Sequence, residues 1–407
     1  MKRNYTKTFL DHFSEHRQMV FVMGPRQSGK TTIAHNIIDN QKAKAAWYLS
    51  WDNTDDRDLI LQGTKAVAEK IGITNTLKDV KPIICFDEVH KYVNWRDFMK
   101  GFYDSYPDKT RILVTGSAKL DVFNRGGDSL MGRYFPFRFH PLSISELTHE
   151  EFSTETDIFP NPKKIDDDTF QSLWKFGGYP DPFLKQSATY HRRWQKLRAC
   201  QLFQEDIRDL TRIQDIARLE LLAEYMKKNS SKQVTFSNLA KQLRVTDKTI
   251  REWLFVLKST YFCFDITPYS KNVTRSLLKE PKFYLWDWSL CIDDGARAEN
   301  FVALALLKAI NYWNDIGFSD YELHYLRDKE KREVDFIVVK DRKPWLLVEV
   351  KLKNNKSISP HLYYFQEQLK ADYALQVVIE MDYINKNCFI GPEPLIVPAK
   401  TFLSQLV

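Results

Sequence analysis

The chain of 407 residues is poor in cysteine. Its five cysteines (Cys85, Cys200, Cys263, Cys291 and Cys388) are odd in number and have no paired spacing. That excludes a disulfide framework and a cysteine-built zinc centre, and it points to a reducing, cytoplasmic setting. The nine histidines form no H-E-x-x-H pattern, so zinc chemistry is unsupported from that side too. Long apolar runs are missing: stretches such as Phe301–Leu307 fall far below the ~18–20 residues of a spanning helix. There is no lipidation motif, so no membrane partner is expected. The polar segment Met1–Arg17 has no apolar core and no small-residue cleavage site, and predicts no secretory leader. An excess of one charge is nearly lacking as well. Sixty Lys and Arg against 53 Asp and Glu give +7, which permits a nucleic-acid partner without requiring one. With 43% hydrophobic and 28% charged residues, wholesale disorder is excluded. Glycine is scarce at 14 residues, so places where it recurs mark special backbone demands.

Two glycines recur at Gly24 and Gly29. The apolar run from Gln18 to Gly24 predicts a buried strand, with a helix beginning near Lys30. Trp47–Leu49, Ile83–Phe86 and Arg111–Thr115 read as further short strands, with a helical pattern over Trp95–Tyr103. Short apolar strands alternating with helices predict a parallel sheet in an α/β layer. A loop-rich acidic segment follows around Glu150–Asp168, interrupted by Pro160 and Pro162. Residues 187–230 read as mainly helical. Helices are then expected at Ile216–Lys228, Phe236–Leu243 and after Thr246, which is placed to cap the third. Tyr261–Thr267 is strand-like. Beyond it come a helix at Glu299–Tyr312, strands at Val334–Val339 and Trp345–Val350, a helix around Tyr363–Leu369 and a strand at Leu375–Ile379. The expected domains are 1–145, 146–211, 212–270 and 271–407.

The segment Gly24-Pro25-Arg26-Gln27-Ser28-Gly29-Lys30-Thr31 fits G-x-x-x-x-G-K-[ST], between a strand and a helix, with Thr32 following. Glycines let backbone N–H groups curl around phosphate oxygens, and the helix N-terminus adds partial positive charge. Lys30 would neutralise the β- and γ-phosphates, and Thr31 would offer its hydroxyl to Mg²⁺. Farther on, Ile83–Phe86 leads into Asp87 and Glu88, two carboxylates at the end of a strand. Asp87 would hold Mg²⁺, and Glu88 would orient or deprotonate the attacking water. The strand Ile112–Thr115 ends in Gly116 and Ser117, whose hydroxyl would sense the γ-phosphate. Arg125 and Arg133 both follow that strand, and either could stabilise the charge on a transferring phosphoryl group.

On Gly24–Thr32, Cys85–His90, Leu113–Ser117, Met131–Arg133, Pro141–Glu146 and Gly177–Pro180, the chain resembles the prokaryotic AAA-type P-loop ATPases that carry a C-terminal domain of unknown function. Pro268-Tyr269, Pro281–Tyr284 and Glu299-Asn300 extend the likeness over essentially the whole sequence. The resemblance implies an ATPase core that takes ATP, a winged-helix middle and a C-terminal module. An AAA-type core often implies assembly into a homo-oligomer, although some relatives act as monomeric switches.

The three-helix pattern followed by a strand resembles a winged helix-turn-helix. With Thr246–Lys258 as the recognition helix, Lys248 and Arg251 would face DNA, and Lys241 and Arg244 lie just before the turn. Basic residues at Lys227, Lys228 and Lys232 would extend the stripe. Beyond it, Asp335 precedes Glu349 and Lys351, which sit two apart on the next strand and share a face. Asp335 and Glu349 could converge on one Mg²⁺, with Lys351 near the attacking water and Glu299 adding a carboxylate. This is the arrangement of metal-assisted phosphodiester hydrolysis. It resembles the restriction-endonuclease-like fold, an Asp followed a hairpin later by Glu-x-Lys.

The expected architecture is therefore α/β: a parallel-sheet ATPase core, a helical and winged-helix middle and a C-terminal restriction-endonuclease-like domain. The expected activity is Mg²⁺-dependent ATP binding and hydrolysis coupled to DNA binding, with metal-dependent DNA cleavage as its furthest extension. The alternative is an ATP-driven switch or scaffold whose C-terminal domain binds DNA or protein without cutting.

Overall fold

The computed structural model describes residues 3, 5–40, 46–73, 81–117, 130–149, 159–210, 213, 215–270, 280–353 and 357–407. Arg125 and most of the acidic segment after Glu150 lie outside the described residues. The chain divides into two compact units, the first running to His140 and the second from Pro141 to His149 and from Ser153 to Val407.

The first unit is built on β1 (Met19–Met23), β2 (Ala46–Ser50), β3 (Ile83–Asp87), β4 (Arg111–Gly116) and β5 (Tyr134–Arg138). All pairings are parallel, in the order β2-β3-β4-β1-β5. Strands β1 and β3 are buried along their whole length, as strands covered on both faces must be. Helix Trp95–Ser105 turns Trp95, Phe98, Met99 and Phe102 inward onto Phe21, Phe86 and Val114. Strand β5 has no counterpart in the sequence expectations. Pro136 sits in it without breaking it, because β5 is the edge strand and its free side needs no ladder donor.

The second unit holds a seven-stranded mixed sheet. Its strands are β6 (Cys263–Pro268), β7 (Lys282–Leu285), β8 (Tyr321–Arg327), β9 (Glu333–Lys340), β10 (Lys343–Lys353), β11 (Tyr373–Glu380) and β12 (Leu395–Pro398). They lie in the order β12-β11-β10-β9-β8-β6-β7. Helix Asp294–Asp315, the antiparallel run β8–β9–β10, helix Pro360–Leu369 and then β11, parallel to β10, follow one another along the chain.

Helices Ile216–Lys228, Phe236–Leu243 and Asp247–Ser259 enclose a core of Leu219, Leu222, Met226, Leu239, Ile250, Trp253 and Leu257. Thr246 caps the third helix by accepting a bond from the Thr249 amide at 3.1 Å. The antiparallel β6–β7 pair completes this layer through Phe283 and Leu285. The same β6 also pairs with β8 at Thr267 and Pro268, so the hairpin beside the helices is continuous with the large sheet. Among the described residues no helix is long and apolar enough to cross a membrane.

Candidate functional site

In the first unit the parallel strands bring their C-terminal ends to one edge, where ligands of open α/β sheets bind. The loop after β1 folds as a cradle: Gln27 and Gly29 have φ of 61° and 98°, and helix Lys30–Asn40 starts at once. Gly24 is demanded by space, since a Cβ there would lie 2.1 Å from the Phe139 carbonyl oxygen. Lys30 is buried, and its Nζ donates to the Gly24 and Pro25 carbonyls at 2.9 and 2.7 Å. The Ser28 hydroxyl closes the turn on the Pro25 carbonyl at 2.8 Å. Buried Arg3 clamps the loop from outside. It donates to the Ser28 carbonyl, and to the His140 carbonyl at 2.7 Å, with its guanidinium 4.1 Å from the centre of the Phe139 ring.

Register carries the acidic pair to this loop. Met23 pairs with Gly116 and Asp87 with Thr115, so β4 lies between the phosphate loop's strand and the strand of Asp87. Asp87 is buried and accepts bonds from the hydroxyls of Tyr48 and Thr115. Burial, then the bond to Asp87, holds the Tyr48 phenol well above its usual range, so it stays a donor. Glu88 takes a left-handed backbone, φ 53°. Its amide bonds the Thr115 carbonyl at 2.9 Å and its carboxylate accepts from Ser117 Oγ at 2.9 Å. His90 Nε2 stands 3.6 Å from the same carboxylate, and burial lowers the pKa of its imidazole. Thr31 and Asp87 carry hard oxygens, the kind of donor that suits Mg²⁺.

A second constellation lies on the large sheet. The register that pairs Val348 with Phe336 runs on to set Asp335 beside Glu349, and the Val350 amide donates to Asp335 Oδ2 at 2.8 Å. Lys351 Nζ donates to Glu349 Oε1 at 2.7 Å. From helix Asp294–Asp315, Glu299 Oε1 accepts from Tyr284 at 2.7 Å and from Lys282 at 3.1 Å. Burial first, and the charge of Asp335 second, push Glu349 up to about 7 and Glu299 up to about 8. Burial also raises Asp335. The three carboxylates therefore share one crowded field. They are not gathered into a ready ligand set: among the described residues no three His, Cys, Asp or Glu side chains are placed to hold a metal ion. Each acid is turned to its own donor instead. As a donor set they are carboxylate oxygens with no sulfur or imidazole, which fits Mg²⁺ or Mn²⁺ rather than zinc.

Residues 16–148 match the family described as the AAA domain. The first unit is a P-loop AAA domain. Residues 167–293 and 294–389 match two families, each described only as a domain of unknown function (DUF8612 and DUF4143). Uncharacterized proteins of Mycobacterium bovis and Mycobacterium tuberculosis are each 24% identical over 358 residues, 84% of this chain and 72% of theirs. Among solved structures, AMPPCP-bound DnaA from Aquifex aeolicus is 12% identical with a TM-score of 0.33, over 63% of this chain and 86% of its own. The RuvB Holliday junction branch migration motor of Thermotoga maritima is 16% identical with a TM-score of 0.29, over 68% and 94%. Scores this low carry nothing about activity or partners.

Within the AAA domain, Gly24 to Thr32, Asp87, Glu88 and Ser117 lie at one edge of the sheet. Arg133 does not. The Met19 amide, at the opposite end of β1, donates to the Arg133 carbonyl at 2.9 Å, a strand length of roughly 17 Å from the loop. Its guanidinium grips both Asp104 oxygens at 2.9 Å. It is therefore held away from the phosphate site of its own chain, and its place after the sensor strand was the ground for expecting it there. Four participants escaped sequence reasoning: Tyr48, Arg3, Lys282 and Tyr284. The last two lie in the Pro281–Tyr284 stretch that carries part of the family resemblance, which was the available signal.

Proposed function

We propose that this protein binds and hydrolyses ATP with Mg²⁺ at the AAA domain, and that its second unit binds DNA and cleaves phosphodiesters with a divalent ion. The observation that carries the first half is the convergence of the Lys30 loop, Asp87, Glu88 and Ser117 on one sheet edge. Lys30 and the loop amides would hold the phosphates, and Thr31 and Asp87 the cation. Bound there, Mg²⁺ neutralises charge on the β- and γ-phosphates. Glu88 would take the proton of the attacking water.

The second half is supported by the helix, three strands, helix, strand succession that sets Asp335 against Glu349 and Lys351, as the restriction-endonuclease-like reading requires. Asp335 and Glu349 would hold the ion, with Glu299 behind them. The three helices with the β6–β7 hairpin support a winged-helix module. Lys241, Arg244, Lys248 and Arg251 are all exposed on its second and third helices and the turn between them. The competing reading, an ATP-driven switch that binds DNA without cutting it, draws on the lysine partners that occupy Glu299 and Glu349.

A cleavage time course on supercoiled and linear DNA with Mg²⁺ or Mn²⁺, with and without ATP, separates them. Wild type should cut and Lys351→Ala should not, while both turn over ATP. DNA-stimulated turnover without cleavage by either protein would establish the switch instead.

A further inference from the structure

One cation is built into the carboxylate cluster from outside the Asp and Glu-x-Lys strands. Lys282, on β7, has only 5% of its side chain exposed. Its ammonium bridges Glu299 Oε1 at 3.1 Å and Glu333 Oε1 at 2.5 Å. The other oxygen of Glu333 is taken by Arg327 at 2.7 Å. Tyr284, two residues along and so on the same face of β7, donates to the same Glu299 oxygen. The strand that presents them is pinned in place. Asn300, next to Glu299, accepts from the Leu285 amide at 2.7 Å and donates to the Leu285 carbonyl at 2.8 Å.

A lysine ammonium is a compact point charge with three donors and no acceptor. Buried, it persists only where anions meet it from several sides. Here Glu299 and Glu333 touch it directly and the charge of Asp335 acts on it from nearby. Formal charge sharpens the point. Once a bound divalent ion has drawn the proton from every acid, Glu299, Glu333, Asp335 and Glu349 face Lys282, Lys351 and Arg327, and the protein groups alone sum to one negative charge. A single divalent ion converts that to one positive charge, matched to a phosphodiester anion. A second divalent ion would overload the site while Lys282 stays.

We propose that Lys282 occupies the place a second divalent ion would take among Glu299, Glu333 and Asp335, so that the site accepts one divalent ion, between Asp335 and Glu349. The proposal rests on the cleavage-site reading above and specifies its metal stoichiometry. It also gives the hairpin of the three-helix module a direct part in the site, because the lysine arrives on that hairpin's returning strand.

The test counts Mn²⁺ ions bound by the nucleotide-free full chain, by electron paramagnetic resonance, scoring only ions lost on Asp335→Asn. Wild type should bind one such ion, Lys282→Met two, and Lys282→Arg, which restores the charge, one. The melting temperature of Lys282→Met should rise more on adding Mn²⁺ than that of wild type, since the ion replaces the missing ammonium. If Lys282→Met is unfolded in EDTA, refolding in Mn²⁺ counts for the proposal and failure to refold counts against it. One ion of equal affinity in wild type and Lys282→Met would overturn it while leaving the cleavage site standing. No Asp335-dependent ion in wild type would remove the metal-site reading, and the proposal with it.

Discussion

At the scale of the residue, Glu88, the base in the proposed mechanism, has an uncommon backbone. A left-handed conformation costs a residue with a Cβ about 1–2 kcal/mol, and here the Thr115 carbonyl and Ser117 hydroxyl hold it there. Thr115 fixes both acids, since its hydroxyl also donates to Asp87. Replacing Glu88 by Gln keeps the shape and removes the base. ATP turnover should fall by about 10²–10⁴ with nucleotide affinity kept, measured by phosphate release and by titration with a non-hydrolysable analogue. Unchanged turnover would strip Glu88 of its part. Tyr48→Phe removes one donor to a buried carboxylate, a loss of about 1.5–3 kcal/mol for a charge-assisted bond. Affinity for Mg²⁺-nucleotide should drop roughly tenfold or more, while affinity measured in EDTA stays put. The placement of the phosphate loop with Asp87 and Glu88 at one sheet edge, and of Asp335 beside Glu349 and Lys351 on adjoining strands, was legible because each set is read within one or two neighbouring elements. Tyr48 and Lys282 were not, because their roles come from strands that meet the acids only after folding.

Among elements, the segment Pro141–His149 shows why a short motif can be structural. Its residues Ser143 and Ser145 donate to the carbonyls of Val407 and Leu406 at 3.1 and 2.8 Å, tying the chain's last residues down. Its Glu146 forms a fully buried ion pair with Lys308 of helix Asp294–Asp315, and that lysine also donates to the Pro141 carbonyl and to Ser143 Oγ. Glu146→Ala would strand the Lys308 charge and should cost about 3–5 kcal/mol in urea unfolding. The pair Glu146→Leu with Lys308→Met should recover most of that, since no charge is then left buried. No recovery would mean that the geometry, not the charge, is what the pair supplies. His149 ends the segment with Nε2 2.9 Å from the Ser404 carbonyl, and burial, with Lys163 adding, lowers its pKa below the unfolded value of 6.5. Its contribution to stability is therefore complete above pH 6.5 and lost as pH falls toward the lower folded value. The stability difference between wild type and His149→Asn should shrink between pH 7.5 and 5.5. A constant difference would show that its protonation is not linked to folding. The Gly177–Pro180 motif is packing of the same kind: a Cβ on Gly178 would lie 2.7 Å from both the Leu142 carbonyl and the Trp288 ring. Strand β5 stayed hidden for a different reason. An edge strand with Pro136 and two exposed positions shows neither a continuous apolar run nor clean alternation.

At the scale of the whole molecule, periodicity separated sheet-forming from helical stretches but could not show which strands share a sheet. The expected break near residue 270 falls at the end of β6, inside a hairpin whose strands belong to the large sheet and also close the three-helix core. The second unit, Pro141–His149 with Ser153–Val407, is therefore one compact body, with the exposed basic residues of its helices and its carboxylate cluster on a common framework. Four of those basic residues, Lys241, Arg244, Lys248 and Arg251, are exposed, and their contacts are weak: Lys248 stands 3.9 Å from exposed Glu252, and Arg251 lies over the Phe236 ring. Exposed pairs of this kind contribute about 0–1 kcal/mol, so changing all four to alanine should leave the melting temperature nearly unchanged. If they neutralise phosphates, each one lost removes nearly one released counterion per site. The slope of log affinity against log salt for duplex DNA should then become shallower by about 3–4, with affinity falling at every sequence tested alike. Unaltered affinity and slope would place the DNA contact elsewhere. A shallower slope together with undiminished ATP turnover in the absence of DNA would assign these four residues to DNA contact, separate from the chemistry of the AAA domain.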